Sequence, residues 1–178
     1  MRTRSEFEAL ALPQLPTVYR LARQMVGQDR AEDLVQDTYL KAWTHFSSFR
    51  PGTNCRAWLC RILHNTWISQ WRKTRLELPA GDLDDLPHPT FDWERETAGA
   101  ILSEDMQWAL DQLPETHRWA VLLADVEELT YQEIAETMGC PVGTVMSRIS
   151  RGRRLLGGLV NERRRQRLPP LRIVARDR

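Results

Sequence analysis

Apolar residues recur along most of the chain at the three- and four-residue spacing of an α-helix, and no segment alternates as a half-buried strand would. The first pattern predicts a helix over about 15–25 that ends near Gly27. A second helix is predicted from Asp29 or Arg30 to about Phe46, and a third over about 54–73, with Asn54 as its N-cap. The sequence therefore predicts an all-α fold.

The second predicted helix has one apolar face and one polar face. Its polar face carries Asp33, Gln36 and Asp37, together with Leu40. Its predicted inward stripe consists of Val35, Tyr39, Ala42, Trp43 and Phe46. A helix of this kind packs on its own domain with one face and leaves the other face for solvent or a partner.

Helical periodicity resumes near Ser103 and continues over about 116–126. The segment 130–156 then predicts two short helices around a tight turn. Tyr131, Ile134, Ala135 and Met138 form the apolar stripe of the first helix, Gly139 suits the turn, and Pro141 suits the first turn of the next helix. Apolar residues of the second helix are predicted to face inward: Val142, Val145, Met146, Ile149 and Leu156.

The outward face of that second helix is polar and basic. Thr144, Ser147, Arg148 and Arg151 follow one another at helical spacing. A bracing helix followed by a helix with outward hydrogen-bond donors is typical of the helix-turn-helix, whose second helix enters the major groove of DNA. An ordinary helical hairpin with a solvated basic face is the alternative for this segment.

Charge divides the chain into blocks that the small overall net charge hides. The net charge is +6 over residues 1–75, −9 over 76–112, −5 over 113–140 and +9 over 141–178. Two basic ends separated by an acidic middle predict two contacts with a polyanion. We expect domains over 1–75 and 101–160, a flexible acidic linker rich in proline over 76–100, and a frayed basic tail over 161–178.

Several classes of protein are not expected from this composition. No run of about 18 uncharged apolar residues is present, so membrane insertion is not predicted. Glu6, Glu8, Pro13 and Pro16 interrupt the N-terminal segment, which argues against a signal peptide. Three sparse cysteines then suggest reduced thiols and a cytoplasmic location. No catalytic triad, carboxylate pair or phosphate loop stands out, so neither an enzyme nor a cofactor is predicted.

The third predicted helix interleaves bases with aromatic residues. Trp58, Trp67 and Trp71 lie among these cations: Arg56, Arg61, His64, Arg72, Lys73 and Arg75. Aromatic rings that stack on unpaired bases, beside cations that hold phosphates, suit single-stranded or opening DNA. Core packing of the tryptophans is the other interpretation, and at least part of Trp67 or Trp71 is expected to be buried. The preceding loop, with Phe49, Arg50 and Asn54, could hold an extruded base.

Three segments in order resemble the extracytoplasmic-function class of sigma-70-type sigma factors. They are DLVQDTYLKAW, FSSFRPGTNCRAWLCRILHNTWISQWRK and ELTYQEIAETMGCPVGTVMSRISRGRRLL, and they cover most of residues 30–156. The resemblance implies a non-enzymatic initiation factor that binds core RNA polymerase and promoter DNA, with an anti-sigma factor as a further expected partner. The chain departs from the family at Cys140, where a hydroxyl or acidic residue would cap the recognition helix better.

The resemblance also assigns roles to residues. Asp33, Gln36 and Asp37 match the surface that docks on the largest subunit of core polymerase. Thr144, Ser147, Arg148 and Arg151 match the readers of the minus-thirty-five element. The minus-ten element is expected to contact a third set, consisting of Phe49, Arg50, Asn54, Trp58, Arg61 and Asn65.

Two other interpretations account for part of the sequence. A plain helix-turn-helix repressor accounts for residues 130–156 but not for the Trp-rich helix, and it usually needs a dimer and a palindromic site. A thiol or zinc sensor would use Cys55, Cys60 and His64. Five residues turn an ideal helix by about 140°, which points Cys55 and Cys60 too far apart for one metal. No metal site is therefore predicted.

Overall fold

The computed structural model describes residues 3–77 and 104–167, and within these ranges the chain is helical with no strand. The predicted all-α fold is thereby confirmed. The α-helices are α1 (Arg4–Ala11), α2 (Leu15–Val26), α3 (Gln28–Thr44), α4 (Cys55–Glu77), α5 (Glu104–Asp111), α6 (Glu115–Val121), α7 (Tyr131–Met138) and α8 (Val142–Arg167). Short 3-10 turns cover Leu12–Gln14 and Phe46–Ser48, and a π-helical turn covers Leu122–Val126.

Helices α1–α4 form the first domain around a core of aliphatic side chains. Leu21, Leu34, Leu59 and Leu63 of α2, α3 and α4 are almost completely buried. Gly27 has φ 77° and ψ 174°, which only glycine adopts readily, and this lets α3 begin directly after α2. The three long helices of this domain lie where the apolar pattern predicted them.

The N-terminal helix α1 was not predicted. Thr3 accepts a hydrogen bond from the Glu6 amide and Glu6 accepts one from the Thr3 amide, a capping box that starts the helix. Phe7 of α1 packs edge-on against Trp43, with ring centroids 5.3 Å apart. Trp43 was predicted to face inward, but it is 44 % exposed because α1 covers only one side of the ring.

Helices α5–α8 form the second domain, and α7 with α8 forms the predicted helix-turn-helix. Thr130 and Glu133 form a capping box at the start of α7. Gly139 adopts the left-handed conformation, with φ 60°, and turns the chain toward α8. Ile134, Val145 and Ile149 are buried between the two helices and the rest of the domain.

The predicted frayed tail begins too early, because α8 continues through Gly157 and Gly158 to Arg167. Arg163 stacks on Trp108 and pairs with Asp105, while Arg167 reaches Glu104 at 2.6 Å. These contacts with α5 offset the helix-weakening effect of two glycines. The predicted linker lies almost entirely outside the described residues, as do residues 168–178 of the predicted tail.

Candidate nucleic-acid interface

The predicted docking surface is solvent-exposed on α3. Asp33, Gln36 and Asp37 all lie on the outer side of this helix, and Asp37 accepts a 2.9 Å hydrogen bond from Gln70 of α4. Leu40 continues the same face one turn later and is 59 % exposed. The face therefore combines carboxylates with an exposed aliphatic side chain, a composition that suits a protein partner.

Helix α4 presents two polar side chains one turn apart. Arg61 and Asn65 are exposed on the side of α4 that faces neither the core of the first domain nor the second domain. A guanidinium and an amide at this spacing can contact phosphates and base edges of a strand that runs across the helix.

Asn54 caps α4, as predicted, and also reaches the second domain. Its side-chain oxygen accepts from the Ala57 amide at 3.3 Å, and its nitrogen donates to Glu133 at 2.7 Å. Burial alone would raise the pKa of Glu133, but the hydrogen bonds from Thr130 and Asn54 hold that pKa below its ordinary value. Asn54 must leave Glu133 before its side-chain nitrogen can contact DNA.

Phe49 is buried, although its loop position suggested an exposed ring. It is only 4 % exposed, with its ring centroid 5.1 Å from that of Trp58 and 6.1 Å from that of Phe46. Packing the rings of Phe46, Phe49 and Trp58 together is more favourable than leaving Phe49 exposed in the loop, since each ring removes a large apolar area from water. Arg50, the next residue, is exposed, and its carbonyl accepts a 2.7 Å hydrogen bond from the Thr53 hydroxyl.

Two of the three tryptophans of α4 belong to the protein core. Trp58 packs on Phe49, and Trp67 packs 5.8 Å from Trp119 of the second domain. Both are buried, whereas Trp71 is half-buried. Core packing is therefore the correct interpretation for Trp58 and Trp67, and the expectation of partial burial at Trp67 or Trp71 is confirmed.

The predicted reading face of α8 differs in its details from the structure. Ser147 and Arg151 are exposed and Thr144 is half-buried. Arg148 is half-buried and donates a 3.4 Å hydrogen bond to the sulfur of Cys140, so its guanidinium lies beside the turn.

Met146 was predicted to face inward and is instead 52 % exposed. The buried side of α8 is centred on Val145, Ile149 and Gly152, and each residue turns the helix by about 100°. Met146 lies beyond the edge of that side, next to exposed Ser147 and Ser150. Had the buried glycine been included in the apolar stripe, the periodicity would have placed Met146 outside.

His64 and Cys60 are packed against neighbouring side chains and are not grouped with other potential metal ligands. His64 lies between Trp67 and Trp119, and burial, reinforced by Arg148, lowers its pKa against the opposing hydrogen bond with Asn65. Burial raises the pKa of the Cys60 thiol to about 12. The three cysteines are unbridged, and residues 3–77 and 104–167 contain no cluster of three potential metal ligands. Within the same residues, no helix is long and apolar enough to cross a membrane.

Comparisons with known families match both domains. The sequence model for sigma-70 region 2 matches residues 12–77, and the model for sigma-70 region 4 matches residues 103–156. The chain is 37 % identical over 150 residues to the ECF RNA polymerase sigma factor EcfG of Rhodopseudomonas palustris, covering 84 % of this chain and 82 % of that protein. It is 32 % identical over 172 residues to the ECF RNA polymerase sigma-E factor of Escherichia coli, covering 86 % of each chain.

Solved structures with a similar fold include two protein complexes. The sigma factor RpoE from Bartonella quintana, in complex with the anti-sigma factor NepR, superposes with a TM-score of 0.76 at 35 % identity, over 88 % of this chain and 97 % of that one. CnrH in complex with the cytosolic domain of CnrY superposes with a TM-score of 0.64 at 24 % identity, over 90 % of each chain, a likeness of fold alone.

Proposed function

The chain belongs to the extracytoplasmic-function class of RNA polymerase sigma factors, and we propose that its two described domains divide the work of promoter recognition between them. The first domain binds core polymerase and opens the minus-ten element, and the second reads the minus-thirty-five element. The observation that carries this division is the separation of three exposed faces, on α3, α4 and α8 respectively. Each face has the side-chain chemistry that its partner requires.

Core polymerase is proposed to dock on the exposed face of α3. Asp33, Gln36 and Asp37 supply acceptors for a basic partner surface, and Leu40 supplies apolar contact at the same site. None of the four side chains is needed by the core of the first domain, since Leu34, Val35 and Thr38 fill the inner side of the helix. A surface that folding does not use is available for binding.

Minus-ten DNA is proposed to lie across Arg50, Arg61 and Asn65, which are exposed, with Asn54 joining them once it leaves Glu133. Phe49 and Trp58 then act differently from the sequence expectation: their tilted ring contact supports the loop that positions Arg50. Unstacking a base costs a few kcal/mol, and a stacked aromatic returns about 1–3 kcal/mol per base. Because the rings of Phe49 and Trp58 are buried, melting of the DNA depends all the more on contacts supplied by polymerase.

Minus-thirty-five DNA is proposed to enter against the outer face of α8. Arg151 provides a guanidinium for guanine, the commonest specific major-groove contact, and Ser147 provides a hydroxyl. Met146 adds an apolar side chain that suits a thymine methyl group. Thr144 and Arg148 flank this face, and Arg148 must release Cys140 to contact a base.

The remaining expectations follow from membership of the family. We propose that the protein acts by binding rather than by catalysis, and that it works in the cytoplasm with core polymerase. An anti-sigma factor is a proposed partner, supported by the RpoE–NepR complex that the chain resembles at 35 % identity. A helix-turn-helix repressor would bind a palindromic site without polymerase. Binding of the free protein to such a site would therefore distinguish a repressor from a sigma factor.

The docking proposal is tested by reversing charge at Asp33 and Asp37 together. The double variant Asp33→Lys/Asp37→Lys should bind purified core polymerase at least about tenfold more weakly, because two acceptors become cations. The matched control is Glu136→Lys/Glu162→Lys, which reverses two exposed acidic residues of the second domain. Unchanged affinity in a folded Asp33→Lys/Asp37→Lys protein, judged by circular dichroism, would show that α3 is not the docking surface.

A further inference from the structure

A buried carboxylate joins the two domains at a distorted point of the backbone. Glu127 follows the π-helical turn Leu122–Val126 and is completely buried, and the next residue, Glu128, has φ 52°. One oxygen of Glu127 accepts a 2.7 Å hydrogen bond from Arg20 of α2, across the domain boundary. A π-helical turn and a left-handed glutamate are both rare and occur most often at functional sites.

The Glu127 carboxylate is fully buried, the Arg20 side chain is 39 % exposed, and each keeps one polar atom without a hydrogen-bond partner. The second oxygen of Glu127 and the Nε of Arg20 are buried and have no hydrogen-bond partner. The Glu127 carboxylate also lies close enough to Cys60 of α4 to help raise the pKa of that thiol, behind burial as the main cause. Glu127 is therefore enclosed by the first domain although it belongs to the second.

Further contacts between the two domains complete the interface. Gln107 donates to Gln24 at 2.5 Å, and the buried Arg118 donates to the Gln24 carbonyl at 3.4 Å. Trp119 packs on His64 and Trp67, with ring centroids 5.0 and 5.8 Å away. A contact between Asn54 and Glu133 brings α4 and α7 together at the edge.

This packed arrangement cannot read a promoter. Elements centred near minus ten and minus thirty-five are separated by about 25 base pairs, or about 85 Å of duplex at 3.4 Å per step. In the closed structure the minus-ten helix α4 touches the helix-turn-helix itself, through the 2.7 Å contact of Asn54 with Glu133. The two domains must separate before both elements can be contacted.

We propose that the Arg20–Glu127 ion pair is a latch that holds the two DNA-reading domains together in the free protein and breaks when core polymerase takes up the chain. The proposal rests on the function given above. The docking face on α3 stays exposed in the closed form, but only the fraction of molecules with separated domains can contact both promoter elements. The apparent dissociation constant of the polymerase complex on promoter DNA therefore rises in inverse proportion to that fraction. The latch thus sets how readily this sigma factor forms a promoter-bound complex with core polymerase.

A buried carboxylate paired with a partly exposed guanidinium makes a sharp prediction about the two partners. Removing Arg20 leaves a buried carboxylate without a counter-charge, which strongly disfavours the closed form. Removing both charges abolishes that penalty, and apolar replacements of similar volume are often tolerated at such sites. Arg20→Met should therefore open the protein, and the double variant Arg20→Met/Glu127→Met should close it again.

The experiment measures the distance between the domains in labelled protein and, in parallel, the affinity of the unlabelled protein with core polymerase for promoter DNA. Fluorophores on unnatural amino acids at Lys41 and Glu162, both exposed, report the separation of the domains in the full chain. Arg20→Met should shift the open-to-closed ratio by at least about tenfold and tighten apparent binding of the polymerase complex to promoter DNA. Arg20→Lys, which keeps the charge, serves to check the fold, and Arg4→Met, which removes an exposed cation of α1, is the matched control.

Each outcome decides a separate claim. The latch is wrong if Arg20→Met leaves the distance unchanged in a folded protein, or if the double variant stays as open as the single one. If Arg20→Met opens the protein without changing the affinity of the polymerase complex for promoter DNA, the proposed control of promoter binding is wrong. If the wild-type chain does not bind core polymerase at all, the proposed function fails, while the distances still report on the latch.

Discussion

His64 shows how one side chain at the interface responds to proton concentration. Its ring packs between two tryptophans, its Nδ1 is buried without a hydrogen-bond partner, and its pKa lies below the ordinary 6.5 because of burial and Arg148. The folded chain therefore holds His64 neutral where the unfolded chain already binds a proton. Stability that is complete above pH 6.5 should fall as the pH drops below that value.

The pH dependence can be measured by urea unfolding at pH 7.5 and pH 5.5. His64→Phe keeps an aromatic ring at the site and removes the proton, so the loss of stability between the two pH values should be smaller than in the wild type. His117, whose pKa burial and Arg148 also lower, contributes in the same direction in both proteins. An equal loss in wild type and variant would show that His64 does not titrate with unfolding.

Residue environments were only partly predictable from sequence. The cap at Asn54 was predictable because it depends on the side chain and the three residues that follow. The burial of Phe49 depends on Trp58 and Phe46, which approach it only once the loop has folded. Arg148 contacts Cys140, a residue eight positions away that the turn brings close.

At the scale of elements, Gly152 determines how closely α6 and α8 approach. A Cβ at this position would lie 2.6 Å from Cγ2 of Val121 and 3.3 Å from the carbonyl oxygen of His117. Gly157, one and a half turns later on the same helix, has no atom within 4 Å of the corresponding point. A side chain at position 152 would therefore clash with α6, whereas a side chain at position 157 would meet no neighbouring atom.

Alanine at each glycine tests this difference. Gly152→Ala should lower the free energy of unfolding by about 1–3 kcal/mol, because overpacking exceeds the gain in helix propensity. Gly157→Ala should raise it by about 0.5–1 kcal/mol, since only the propensity changes. Urea unfolding of both variants measures the difference, and equal stabilisation by both would mean that the helices separate at no cost.

The helices themselves were mostly predictable, and the exceptions have physical causes. Spacing of apolar residues located α2, α3 and α4 because each buries one continuous stripe. The extension of α8 to Arg167 escaped prediction, since the acidic residues that hold it lie on α5, some 60 positions earlier. The short α1 was missed because only Phe7 and Ala11 of this helix are buried.

At the scale of the whole molecule, the packing of the two domains was not predictable. Arg20 and Glu127 are 107 residues apart in the chain, and nothing in either local sequence identifies its partner. The segregation of charge predicts two polyanion contacts, and α4 and α8 both carry exposed basic residues that could make them. It could not predict that the helix-turn-helix would rest on the first domain in the free protein.

The division of labour between the domains is tested most directly on a promoter with core polymerase. Total promoter binding and permanganate reactivity of unpaired thymines are measured together for wild type, Asn65→Ala and Arg151→Ala, with Arg165→Ala as an exposed control on α8. Asn65→Ala should keep binding and lose reactivity. Arg151→Ala should lose about 1–3 kcal/mol of binding and relax selectivity at one minus-thirty-five position. Loss of minus-thirty-five selectivity in Asn65→Ala, or loss of melting at full occupancy in Arg151→Ala, would contradict the account.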